Sequence, residues 1–225
     1  MLLAVDTSTT QVGIALYDGT QAQVIGETLW RGKLRHTTTL APEIAALFKR
    51  TNSDMDDVSA LGVALGPGSF TSLRVGLALM KGLAFSRNLP LIGIPTLDIL
   101  AASQPARDFR LATVLQAGRG RLAVGYYSAS RNGYWESDGG LSVMNINELL
   151  ESIHSPILVC GELLAEEREI LDKNEFVELS SPSRSTRRPA CLAELAWKRY
   201  QAVDTDDTAS LSPIYLQVGA AIPSL

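Results

Sequence analysis

Short apolar runs alternate with turn-forming clusters from the first residues onward. Residues 2–5 are continuously apolar and predict a buried strand. Asp6-Thr7-Ser8-Thr9 interrupts that run with side chains that hydrogen-bond to nearby backbone and favour turns. Residues 12–17 predict a second strand, and Asp18-Gly19 a hairpin turn into a third over 24–30. After Thr39 the period lengthens. Leu40, Ile44, Leu47 and Phe48 share one helical face, and Pro42 is tolerated in the first turn. A strand over 60–65, a sharp turn at Gly66-Pro67-Gly68 and a helix over 70–85 follow, with Asn88 and Pro90 closing the helix. Residues 91–94 predict another strand, and 97–102 a short helix after Pro95.

The second half runs in a similar order. Strands over 111–115 and 122–127 are joined around Gly118-Arg119-Gly120, and Asn132-Gly133 marks a turn before a weak third strand around Tyr134 or Leu141. A helix over 146–153, a strand over 157–160, a helix over 163–171 and a strand over 176–179 come next. Pro189 opens a last helix to about Tyr200, with Leu192, Leu195, Ala196 and Arg199 on one side. Each half therefore reads as three strands, helix, strand, helix, strand, helix, with no repeat at the level of residues. That duplicated βββαβαβα order predicts an α/β, two-lobe actin-like fold, the sugar-kinase, Hsp70 and actin architecture. The stretch 104–109 is the expected boundary, dividing a first lobe over 1–103 from a second over 104–225.

Composition narrows the classes. With 225 residues, 46% of them apolar, the chain can build a sizeable core. A net charge of −4 without a long basic stretch argues against a primary nucleic-acid binder. Arg184, Arg187 and Arg188 come nearest to a basic cluster, and they read as a solvated loop. The two cysteines, Cys160 and Cys191, form no C-x-x-C and fit reduced thiols. The start, Met-Leu-Leu-Ala-Val-Asp, has no basic region before its apolar residues, and no apolar run is long enough to span a bilayer. A soluble cytoplasmic protein is expected.

Candidate chemistry is sparse. An acid at the end of the first strand, before a hairpin, can hold a metal's water in actin-like ATPases, and Asp6 stands there. The alternative is an Asx turn in which Asp6 accepts its neighbours' N–H groups, favoured because no glycine precedes Gly13. Gly66-Pro67-Gly68-Ser69-Phe70 opens a helix but lacks the lysine and spacing of a phosphate loop. His36 and His154 stand far apart with no acid at ligand spacing, and Glu166, Glu167 and Glu169 read as a solvated helix face. No catalytic residue, cofactor site or metal set is expected. The helix over 70–85 is apolar nearly all round, with small residues such as Gly76 and Ala84 allowing close helix approach. It is either a deep core helix or, together with 40–48, an association surface. Arg74, Gly76, Ala78 and Lys81 are the candidate interface residues, serving a partner and, without it, a homodimer.

Gly66-Pro67-Gly68-Ser69-Phe70-Thr71, then Leu73-Arg74-Val75-Gly76 and Lys81-Gly82-Leu83-Ala84, running into Pro90-Leu91-Ile92-Gly93-Ile94, resemble the TsaB (YeaZ) family. Leu3-Ala4-Val5-Asp6-Thr7-Ser8-Thr9, the His36 segment up to Leu40 and Pro42, and Pro213-Ile214-Tyr215-Leu216 match in the same order. The resemblance implies a two-lobe actin-like fold and a part in making N6-threonylcarbamoyladenosine in tRNAs that read codons beginning with A. It implies pairing with the transferase TsaD, a further ATPase partner, TsaE, tRNA met through the complex, and no membrane.

TsaD resembles the same first lobe but carries a His-x-x-x-His metal pair after the strand matching 91–94. Thr96 and Leu100 stand at those positions. Leucine cannot ligate a metal and threonine is a poor ligand for a transition ion, which implies the non-catalytic subunit. Departures from the family are Ser72 where glycine is usual, Gln217 where arginine is usual, and a partial match over Gln116-Ala117-Gly118-Arg119-Gly120. Three other readings compete: an actin-like ATPase or kinase, a glycoprotease-type enzyme, and a self-associating structural protein.

Overall fold

The fold was analysed in a computed structural model that describes residues 1–32 and 36–216, with the side chains of residues 36 and 37 excepted. Gln217 and the side chain of His36 therefore lie outside the described residues.

Five strands make the first sheet: β1 (Leu2–Asp6), β2 (Gln11–Asp18), β3 (Gln23–Arg31), β4 (Ala60–Gly66) and β5 (Leu91–Pro95), in the order β3-β2-β1-β4-β5. The first three are antiparallel neighbours, whereas β4 and β5 continue parallel to β1. The second sheet repeats that plan. Its strands are β6 (Arg110–Gly118), β7 (Arg121–Ala129), β8 (Trp135–Ser137), β9 (Ser142–Met144), β10 (Ile157–Gly161) and β11 (Val177–Leu179). The order β11-β10-β6-β7 ends in β8 and β9, which both pair with β7. The weak third strand, expected at Tyr134 or Leu141, is thus two short pieces on one edge. Glycines at 139 and 140, both at positive φ, turn the chain between them. The matching strand orders make this a two-lobe actin-like α/β fold.

β1 is buried along its whole length because both faces of the sheet are covered, and a strand with two covered faces reads as a continuous apolar run. One face carries Leu3 and Val5 against α1 (His36–Thr51) and α2 (Phe70–Arg87). The other carries Leu2 and Ala4 against α6 (Pro189–Gln201), whose Leu192, Ala193, Ala196 and Trp197 lie on the first sheet although the helix comes from the end of the chain. The exchange is mutual. From the first half, α3 (Thr96–Ala102) sends Leu97, Leu100 and Ala101 into the core of the second sheet, among Leu111, Leu115, Tyr127 and Leu158. The outer face of that sheet is covered by α4 (Ile146–Glu151) and α5 (Ala165–Leu171) through Leu149 and Leu171.

α2 is two-faced rather than buried all round. Ser72, Leu73, Gly76, Leu77, Met80 and Ala84 face the sheet, whereas Phe85 is 90% exposed. Asn88 ends the helix in the left-handed conformation, as its position suggested. Gly76 and Ala84, expected to admit another helix, instead face inward. A Cβ on Gly76 would stand 2.2 Å from Thr7 Oγ1, so this glycine lets α2 close onto the Asp6–Thr9 turn.

Gly76→Ala should destabilise the protein by about 1–3 kcal/mol in urea unfolding, while Gly82→Ala, on open surface, should stabilise it by about 0.5–1 kcal/mol. A fragment of residues 1–103 lacks α6 and bares the Leu2, Ala4, Ala15 and Tyr17 face of the first sheet. It should show no cooperative thermal transition by circular dichroism, and a sharp melt would refute this account of the lobe's core.

Candidate functional site

The carboxyl ends of β1, β4, β6 and β10 converge on a cleft of about 620 Å³ between the two sheets, lined by Thr9, Ser69, Gly118, Glu162, Arg168 and Thr186 among others. Such crevices are where open α/β sheets bind ligands. At its inner end lies a network that the sequence reading missed. Arg187, expected in a solvated loop, is 1% exposed. Its Nε donates to Asp6 Oδ2 at 2.8 Å, one terminal nitrogen to Glu162 Oε1, and the other to Thr9 Oγ1 at 2.7 Å and the Gln11 carbonyl at 3.1 Å. Thr9 Oγ1 donates onward to Glu162 Oε1 at 2.7 Å. Burial alone would push the guanidinium pKa down, but Asp6 and Glu162 outweigh that and push it up, so the charge persists. Its neighbours behave differently. Arg184 is exposed and Arg188 pairs with Glu27 at the surface. Three arginines close in sequence diverge because the chain turns Arg187 inward just before α6.

Asp6 thus serves as an Asx turn and as a counter-ion at once. Its Oδ1 accepts the Ser8 N–H at 2.7 Å, and its Oδ2 faces the guanidinium. The rest of the turn is sewn to α2. Ser69 N donates to Ser8 O at 2.6 Å, Thr7 Oγ1 to Ser72 O at 2.7 Å, and a Cβ on Gly68 would lie 2.1 Å from Ser8 O. Ser72, at a departure from the family pattern, is buried within this seam.

Thr96, where the resemblance placed a metal histidine, is fully buried, with its Oγ1 accepting from Gly66 N at 2.9 Å and sharing a 2.7 Å bond with Ser8 Oγ. Leu100 is core. Of the three acids read as a solvated face, Glu166 and Glu169 are exposed but Glu167 is not. Its Oε2 accepts the Leu164 N–H and a Gln116 side-chain N–H, each at 2.7 Å, linking the start of α5 to β6. His154 is exposed. Burial pushes the Cys160 thiol up to about 12, which suits packing rather than nucleophilic chemistry. Among the described residues no group of three or more His, Cys, Asp or Glu side chains could hold a metal ion.

Where an association surface was expected from sequence, α1 and α2 border an apolar groove of about 480 Å³, lined by Leu40, Ala41, Phe70, Arg74, Val75 and Ala78 with their neighbours. Arg74 and Ala78 are exposed, Lys81 is half-buried and donates to the Ala209 carbonyl at 3.1 Å, and Gly76 faces Thr7 on the opposite side. Three of the four candidates therefore lie on or beside the outward face, and Gly76 does not. The Arg74 guanidinium stacks 3.7 Å over the Phe70 ring, and its Nε donates to Tyr215 Oη at 2.9 Å, holding this rim together.

A family profile described as TsaD, tRNA N6-adenosine threonylcarbamoyltransferase, matches residues 32–177. The chain is 28% identical to the tRNA threonylcarbamoyladenosine biosynthesis protein TsaB of Bacillus subtilis, over 98% of this chain and 95% of that protein. The Escherichia coli protein of the same name is 29% identical over 71% of this chain and 70% of its own length. The tRNA N6-adenosine threonylcarbamoyltransferase of Nitrosomonas europaea is 29% identical but matches 52% of this chain and 40% of itself. Among solved structures, YeaZ from Pseudomonas aeruginosa superposes with a TM-score of 0.77 over 96% of this chain and 99% of that one, at 21% identity, a likeness of fold. The catalytic relative matches about half of the chain and the TsaB proteins match up to nearly all of it: the chain belongs to the TsaD family, in its TsaB (YeaZ) branch.

Proposed function

We propose that the chain is the non-catalytic partner subunit of the complex that forms N6-threonylcarbamoyladenosine in tRNAs reading codons that begin with A. The observation that carries this reading is the state of the interlobe centre. A buried guanidinium is the counter-ion of Asp6 there, and Thr96 uses its hydroxyl on Ser8 and Gly66. The side chains of this network are spent on one another: Asp6 on Ser8 and Arg187, Thr9 on Glu162 and Arg187. In this reading the chain supports a TsaD-like catalytic subunit, with a TsaE-like ATPase joining the complex and tRNA reached through it. The setting is the cytoplasm; no helix among the described residues is long and apolar enough to cross a membrane.

Pairing uses the α1–α2 face, with Arg74 and Ala78 on it and Lys81 at its margin. The half-exposed Phe70 and the apolar groove beside it support a protein partner, since such a patch on a monomer marks an association site. Without the catalytic subunit, a second copy occupies the same face, and the two pairings compete.

The direct test is co-purification with a TsaD-like protein followed by a threonylcarbamoylation assay with and without this chain. The chain alone should yield no modified tRNA and should raise the yield of the catalytic subunit. Activity from the chain alone would overturn the reading. Purified alone, it should also neither hydrolyse ATP appreciably nor carry a stoichiometric transition ion; metal analysis giving one tightly held ion per chain would refute this. Ala78→Glu should leave the melting temperature nearly unchanged, because the position is exposed, yet weaken both pairings about 30-fold or more, as loss of an interface centre does. Size exclusion and pull-down measure that loss, and wild-type binding by a folded variant would sink the assignment.

A further inference from the structure

The buried network at the inner end of the cleft joins the two sheets and reaches the start of α2. Arg187 stands just before α6, which covers the first sheet. Its acceptors come from both lobes: Asp6, Thr9 and the Gln11 carbonyl from the first, Glu162 from the end of β10 in the second. All are oxygens, two of them carboxylate, gathered around one cation. This is the donor set that a hard divalent ion prefers, presented instead to a planar guanidinium that can satisfy it through several N–H groups at once.

The same network leads without a gap to α2. Asp6 Oδ1 accepts the Ser8 N–H, Ser8 O accepts the Ser69 N–H immediately before the helix, and Thr7 Oγ1 donates to Ser72 O within its first turn. Gly76 then lies against Thr7, so α2 rests on this turn over its first half. Phe70, Arg74 and Ala78 are carried outward by that same half. The turn and the helix are thus in direct contact at Ser69, Ser72 and Gly76.

We propose that Arg187 is a positioning residue for the partner surface: its guanidinium acts as a resident internal cation that joins the two lobes and, through the Asp6–Thr9 turn, fixes the start of α2 in the arrangement the partner binds. The link to the partner rests on the function proposed above; the clamp itself does not. Where an actin-like ATPase could open and close around an exchangeable metal–nucleotide, this chain has a cation that never leaves. It is a fixed scaffold.

The test uses the full chain with Arg187→Ala and Arg187→Lys, neither of which touches the α1–α2 face. Hydrogen exchange is followed at residues 6–10, 66–76 and 160–164, with and without methylguanidinium, and with methylammonium as the control. Arg187→Ala should speed exchange in all three segments on the order of a hundredfold, as expected when a buried ion pair loses one partner. Millimolar methylguanidinium should restore protection and methylammonium should not. Arg187→Lys keeps the charge but not the fork, and should show a smaller change in the same segments. Unchanged exchange in both variants, or equal rescue by the two amines, would overturn the clamp.

Affinity for the TsaD-like subunit should fall about tenfold in Arg187→Lys, as a coupling of ordinary size would give, and recover in Arg187→Ala with methylguanidinium. If exchange responds as expected while partner affinity stays at the wild-type value, the transmission to α2 is overturned. If the wild-type chain does not bind that subunit at all, the proposed function fails while the exchange arms still judge the clamp. Should Arg187→Ala fail to fold, nuclear magnetic resonance on the wild-type chain decides. Slow exchange of the Arg187 Nε proton supports the clamp, and exchange at the rate of a surface arginine refutes it.

Discussion

One buried cation organises this molecule. Removing a guanidinium from water is costly, and the cost is offset only where geometry and hydrogen bonding are both good. Arg187 meets that condition with Asp6 and Glu162 as counter-ions and with Thr9 and the Gln11 carbonyl taking further N–H groups. Such a pair adds little net stability compared with apolar packing of the same volume, yet it tolerates almost no rearrangement, because any partner moved away leaves a charge buried alone. Its consequence is specificity of arrangement. The two lobes meet in the one way that brings Asp6 and Glu162 to the same guanidinium.

That arrangement agrees with the helix exchange around it. The first sheet is closed by α6 from the end of the chain, and the second is closed by α3 from the middle. Neither half owns a complete core, so the apolar contacts and the ion network oppose separation of the lobes together. Here the cleft stays open in front of the Arg187 network, and a second, apolar surface lies on the outer face of α1 and α2. The ion network and the apolar outer face are linked, since α2 rests on the turn that the cation holds.

Much of the fold was legible along the chain because strand and helix periods are local properties. The apolar run over 2–5, the hairpin signal at Asp18-Gly19, the lengthened period after Thr39 and the Asn88 stop each appear as elements at or near the expected places. The duplicated order led from those elements to two sheets of matching plan. Local signals also favoured, at Asp6, the Asx geometry that Ser8 completes, though not its pairing with Arg187. The match of motifs in the first lobe placed the chain in its family before any contact was known.

Local pattern could not say which side of α2 would be covered, and it read Gly76 as an outward small residue when the glycine is needed against Thr7. Nor could it separate Arg187 from Arg184 and Arg188, or Glu167 from Glu166 and Glu169, because neighbours in sequence carry the same charge and differ only in what lies across from them. The amino-acid order by itself determined the elements, their duplication and the family, since each depends on residues a few positions apart. Only the tertiary structure decided the ion network, the exchange of α3 and α6 and the facing of α2. Those depend on groups from distant parts of the chain that meet once both sheets have formed, and the energy of a buried charge is set by that meeting alone.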